Sequence, residues 1–162
     1  MLTETVEKAL NEQINKELFS AYLYLSMAAD FESKNLAGFA KWMKAQSAEE
    51  LSHAMKLFNY VLERGGHVEL MAIEKPQQTW ESPLKVFQDA YDHERFITQS
   101  IYSLLEIAQS AKDYGTMEFL QWYVKEQVEE EAQADHIVKK LEMINDAPAG
   151  MLMLDHELGQ RE

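Results

Sequence analysis

No cysteine occurs anywhere in the 162 residues, which excludes a disulfide framework and every thiolate metal site, rubredoxin-type and zinc-ribbon modules included. Any metal must therefore be held by carboxylates and imidazoles, a donor set suited to iron, manganese, magnesium or calcium, with imidazole favouring a transition metal. Long apolar runs are also missing. The longest, around Ala21 to Ala29, is interrupted and too short to span a bilayer. The first residues, Met1 to Glu7, lack the basic and apolar regions of a signal peptide. Basic residues are scarce, 15 Lys and Arg against 28 Asp and Glu, for a net charge of −13. That balance argues against a nucleic-acid backbone as partner and for attraction of cations, or simply for solubility. The expectation is a soluble, cytoplasmic protein with neither a nucleic-acid nor a membrane partner.

Strand-like alternation is nearly absent, and what remains is helical. Apolar residues at helical spacing run over about 4–33, 36–64, 83–112 and 116–145. A short fifth helix over about 148–158 carries Met151, Leu154 and Leu158 along one side. Gly65-Gly66 suits a helix C-terminus, Ser82-Pro83 an N-cap with proline at the first helical position, and Gly115 a break between the third and fourth helices. With 46% hydrophobic content, residues 1–162 can bury one core and are expected to form a single domain. Short links make helices one and two, and three and four, antiparallel hairpins. The segment from Gly65 to Ser82 could reach on the order of 60 Å, more than the roughly 43 Å of a helix of about 29 residues. It can therefore cross the bundle and set helix three parallel to helix two.

Four seams follow from the helical period. They read Val6, Leu10, Gln13, Glu17, Ser20, Tyr24, Met27, Phe31; then Phe39, Met43, Gln46, Glu50, His53, Leu57, Tyr60; then Phe87, Ala90, Glu94, Ile97, Ile101, Leu104, Ala108; and Leu120, Tyr123, Gln127, Glu130, Ala134, Ile137, Leu141. Each seam carries acidic residues at mid-helix. A buried ionised carboxylate costs several kcal/mol unless paired or bound to a cation, so a shared site is the economical reading; a carboxylate network sharing protons is the other. Glu50-Leu51-Ser52-His53 presents a carboxylate and an imidazole on one helix face, weak evidence alone. At 1.5 Å per residue, Glu17, Glu50, His53, Glu94, Gln127 and Glu130 all fall near mid-height. They converge if the helices pack as a four-helix bundle.

These motifs, Glu17, Glu49-Glu50-Leu-Ser-His53, Glu94 and Glu126-Gln127-Val128-Glu129-Glu130, resemble those of the ferritins, specifically the bacterial non-haem type, and the resemblance covers essentially the whole chain. It implies an all-α, ferritin-like four-helix bundle with a long crossover and a short fifth C-terminal helix. By the same resemblance, Glu17, Glu50 and His53 would bind one iron and Glu94 and Glu130 a second, with Glu50 bridging. Glu49, Glu126 and Glu129, helped by Glu130, resemble an additional iron site. Gln127 is similar to a family glutamine beside the diiron pair, and Tyr24 to a family tyrosine able to supply an electron. Trp122, one turn from Glu126, could likewise supply an electron; the residue-level alternatives are core packing for Tyr24 and Trp122 and a solvated acidic face for Glu126 to Glu131. His67, His93, His136 and His156 receive no role.

The family also implies ferroxidase activity toward ferrous iron, with dioxygen or hydrogen peroxide as oxidant, and storage of the ferric mineral within a shell of 24 identical subunits. Bacterioferritins carry a methionine after the bridging glutamate; Leu51 stands there, so no haem is expected. They and the rubrerythrins repeat Glu-x-x-His in helix four, where this chain has Gln127-x-x-Glu130. The rival readings are a small soluble diiron oxidase or peroxidase without a storage cage, and a metal-free acidic helical interaction module.

Overall fold

A computed structural model describes all 162 residues as five helices and no strands: α1 Glu4–Ser33, α2 Ala37–Glu63, α3 Pro83–Ser110, α4 Tyr114–Ile144 and α5 Pro148–Leu158. None is long and apolar enough to cross a membrane. Local chemistry sets their limits. Thr3, Ser82 and Asp113 accept from the backbone N–H three residues on, capping α1, α3 and α4. At the other ends, Asn35, Gly65 and Lys112 adopt positive φ of 59°, 73° and 54°. Each closes a Schellman turn, as where Gly66 N–H reaches the Val61 carbonyl at 2.9 Å and Gly65 N–H reaches Leu62 at 2.9 Å.

Gly115 does not make the break between α3 and α4. The chain reverses at Lys112, and α4 begins at Tyr114 because Asp113 Oδ1 caps Thr116 N–H at 3.1 Å. The same carboxylate receives Arg64 from the end of α2 at 3.1 Å. Burial works to raise the Asp113 pKa, but the hydrogen bonds from Thr116 and Arg64 prevail and hold it below the ordinary value.

The segment between α2 and α3 forms no helix or strand, yet α1 supplies polar rungs that fix its path. Asn11 Nδ2 donates to the His67 carbonyl at 2.9 Å, and its Oδ1 accepts Glu69 N–H at 2.9 Å. Asn15 donates to Ala72 O at 3.1 Å, Ser26 to Gln77 O at 2.6 Å, and Lys34 to Trp80 O. The crossover thus climbs α1 from its first turns to its last and sets α3 parallel to α2.

All members of the four seams are buried. Their apolar residues form two cores. One gathers Met27, Phe31, Phe39, Trp42, Phe87 and Leu141, with aromatic centroids 5.0–6.0 Å apart; the other gathers Leu10, Ile14, Leu57, Ile97, Ile101 and Leu120. Glu17, Glu50, His53, Glu94, Gln127 and Glu130 lie between these cores in sequence along their helices, all buried. Removing a core aromatic would cost roughly 3–5 kcal/mol, so the two cores rigidly define the space in which the polar layer meets.

Candidate metal centre

Three overlapping groups of donor atoms occupy that layer, each with its atoms within 4.8 Å of one another: Glu17, Glu50 and His53; Glu50, Glu94 and Glu130; and Glu49, His53, Glu126 and Glu130. Glu50 belongs to the first two, His53 to the first and third, and Glu130 to the second and third. Glu17, Glu50, His53, Glu94 and Glu130 are each no more than 3% exposed. Glu49 and Glu126 are half-buried at the rim. Glu129 is exposed and stands outside all three groups, while its neighbour Glu131 accepts from Thr98.

Three glutamine amides face the acids. Gln13 Nε2 donates to Glu17 Oε1 at 2.8 Å, and Gln46 Nε2 to Glu50 Oε1 at 3.0 Å and Glu130 Oε2 at 2.7 Å. Gln127 Nε2 donates to Glu94 Oε2 at 3.1 Å, and the Tyr24 hydroxyl donates to Glu94 Oε1. The motif spacing alone does not single out Gln13 and Gln46. A signal exists nonetheless, since each precedes its glutamate by four residues on the same seam.

Burial is the main reason these acids resist ionisation, and their mutual repulsion adds to it. Both act on Glu17 and Glu50, whose pKa values stand well above the ordinary carboxylate range. Glu130 is pushed up to about 8 by burial, then by Glu94 and Glu49. Burial raises Glu94 too, against the hydrogen bonds from Tyr24 and Gln127. Burial, then Glu94, keeps Tyr24 a phenol.

Side chains near the layer have distinct surroundings. Trp122 is a surface residue, 37% exposed, so core packing does not describe it. Its ring meets His53 edge-on at 5.3 Å, and Lys56 Nζ lies 4.4 Å from its centroid. His93 bonds Ser20 Oγ at 2.7 Å, and burial lowers its pKa to about 4. It joins none of the donor groups.

A cation fits this layer on chemical grounds. Four buried acids that repel one another carry a desolvation cost that a bound cation offsets. Glu17 Oε2 is also buried without any hydrogen-bond partner, in the group formed with Glu50 and His53. Oxygen donors with a single imidazole match hard or borderline transition metals. Glu17, Glu50 and His53 could hold one ion, and Glu50, Glu94 and Glu130 another.

A family model described as the ferritin-like domain matches residues 7–144. The chain is 43% identical over 161 residues to the bacterial non-haem ferritin of Bacteroides fragilis, covering 99% of this chain and 100% of that one. It is 46% identical over 155 residues to the Campylobacter jejuni protein of that name, covering 96% and 93%. Among solved structures, the open-pore ferritin of the hyperthermophilic archaeon Archaeoglobus fulgidus superposes with a TM-score of 0.99 at 52% identity, covering 100% of both chains. Helix order, the crossover and near full-length similarity coincide, and the chain belongs to the ferritin family as one of its bacterial non-haem members.

Proposed function

We propose that this chain is an iron-storage protein with ferroxidase activity, acting as a cytoplasmic homo-oligomer, with a hollow 24-subunit shell as the proposed assembly. Ferrous iron is the substrate. Glu17, Glu50 and His53 bind one ion, Glu94 and Glu130 bind a second, and Glu50 bridges them. Glu49, Glu126 and Glu130, flanked by Glu129, form a third iron position beside the pair. Each of two ferrous ions gives up one electron; dioxygen takes up the electron pair and two protons to give hydrogen peroxide, or hydrogen peroxide takes up the pair and two protons to give two waters. Carboxylates favour the ferric product because their hard anionic oxygens match its higher charge.

The observation that carries this reading is the sharing of Glu50, His53 and Glu130 among three overlapping donor groups, two of them wholly buried and the third reaching the rim. Burial and mutual repulsion favour the protonated form of these acids without metal, and ion binding displaces protons, coupling iron uptake to proton release. Gln127 and Tyr24 hold Glu94 from opposite oxygens, a contact that supports Tyr24 as the residue that passes an electron to the centre. Exposed Leu152 and Met153 on α5 support burial of that helix against other subunits. Family membership supports storage over a solitary oxidase.

The test is ferrous salt added under air to wild type and Glu50→Ala, followed by ferric absorbance and sized by exclusion chromatography. Fast oxidation by a large particle, slowed most in Glu50→Ala, is expected. Equal rates would remove the bridging role, and a particle of monomer or dimer size would remove the storage shell.

A further inference from the structure

We propose that Lys16 and Arg161 are positioning residues for the metal centre: two donor-only cations at the bundle edge fix the amide orientations of Gln13 and Gln46, and so present Glu17, Glu50 and Glu130 to the substrate ions. This rests on the reading of the layer as an iron centre.

The first chain begins at Lys16 Nζ, which lies 2.7 Å from Ser100 Oγ. An ammonium has no lone pair, so Ser100 must accept there. The single Ser100 proton then points to Gln13 Oε1 at 2.6 Å. With its oxygen engaged, Gln13 presents its NH2 group to Glu17 Oε1 at 2.8 Å. Reversing the amide would set its oxygen against the Glu17 carboxylate. The other Glu17 oxygen, Oε2, is buried, unpartnered and part of the group with Glu50 and His53. Each link follows from the one before, starting from the cation at its outer end.

The second chain has the same logic. Arg161, beyond α5, donates from Nη1 to Gln46 Oε1 at 2.9 Å. A guanidinium likewise only donates, so the Gln46 NH2 group turns to Glu50 Oε1 at 3.0 Å and Glu130 Oε2 at 2.7 Å. Arg161 is itself fixed, with its guanidinium 4.5 Å from the Trp42 ring centroid and paired with Glu49. One amide thus orients two acids on different helices, and a tail residue determines which way it faces.

The test uses assembled, metal-free protein titrated with Co(II), whose d–d absorption reports the ligand set independently of oxidation activity. Circular dichroism and particle size confirm that each variant is folded and assembled. Lys16→Met and Arg161→Met should each weaken Co(II) binding by about tenfold, the scale of one charge-assisted hydrogen bond, and shift the absorption bands. Lys16→Arg, which keeps a donor-only head, should stay within about threefold of wild type on the same scale. Ser100→Ala cuts the first chain while leaving Lys16 in place and should reproduce the Lys16→Met loss. Wild-type affinity and bands in Lys16→Met or Ser100→Ala would overturn the first chain, and in Arg161→Met the second. A Lys16→Arg variant as weak as Lys16→Met would reduce Lys16 to a packing role and overturn its assignment. If wild type itself takes up no Co(II) at these residues, the iron-centre reading fails as well; if it does and the variants match it, only this proposal fails.

Discussion

Asp155 of α5 caps α2 through Gly38: its Oδ1 accepts the Gly38 N–H at 2.8 Å and the Phe39 N–H at 3.0 Å. The residue at the N-cap of α2, Leu36, offers no side-chain acceptor, so Asp155, 117 residues beyond Gly38, supplies it. Asp155→Ala should lower stability by about 0.5–2 kcal/mol, the range for a lost cap. Asp155→Asn keeps the acceptor and should lose less. Gly38→Ala should exceed both, because a Cβ there would overlap the Asp155 backbone carbonyl. Thermal unfolding of the three variants checks the order, and Gly38→Ala unfolding like wild type would show that α5 does not need this close seat. The seat matters to the metal layer because α5 also delivers Arg161 to Gln46.

Lys112 turns the chain between α3 and α4 with a left-handed φ of 54° and an exposed side chain. A Cβ makes that conformation unfavourable by roughly 1–2 kcal/mol, while glycine adopts it freely but loses more entropy on folding. Lys112→Gly should therefore stabilise the chain by about 0.5–1 kcal/mol net. That corresponds to a melting temperature higher by roughly 2–4 °C per kcal/mol at this chain size. A lower melting temperature would show that the lysine side chain contributes more than its backbone strain.

The helical period reveals the helices and the acids because the same spacing that builds an apolar face places Glu17, Glu50, His53, Glu94 and Glu130 on it, and all five are buried. Height along antiparallel helices then brings them to one level. What the period cannot show is contact between elements distant in sequence. Asn11, Asn15 and Ser26 read as ordinary polar residues of α1, yet they bind the crossover. Arg161 lies in a tail with no repeat, and only the docking of α5 carries it to Gln46 and Glu49. Glu129 shares an acidic run with Glu126 and Glu130, but its helical angle turns it to solvent. Gly115 looked like a helix break because glycine is conformationally free, whereas Asp113 had the side chain able to start the helix.

Glu130 makes the stability of the metal-free protein depend on pH. Its folded pKa is about 8 against an ordinary value of 4.5. Between those limits the folded state holds more protons than the unfolded state, so stability falls as pH rises. The contribution is fully present below about 4.5 and lost by about 8. Glu17, Glu50 and Glu94 are raised in the same direction. His93, lowered to about 4, acts in the opposite sense from pH 6.5 downward but is common to wild type and a Glu130 variant. The chelator-treated Glu130→Gln variant should unfold close to wild type at pH 5. At pH 8 it should be the more stable of the two, by on the order of a few kcal/mol at 1.36 kcal/mol per pKa unit. Divalent metal should stabilise wild type more at pH 8 than at pH 5, since protons compete for the same oxygens. An offset between the two proteins that does not change from pH 5 to pH 8 would mean that Glu130 ionises in the folded layer as readily as in water, and that the buried acids do not share the burden of one another's charge.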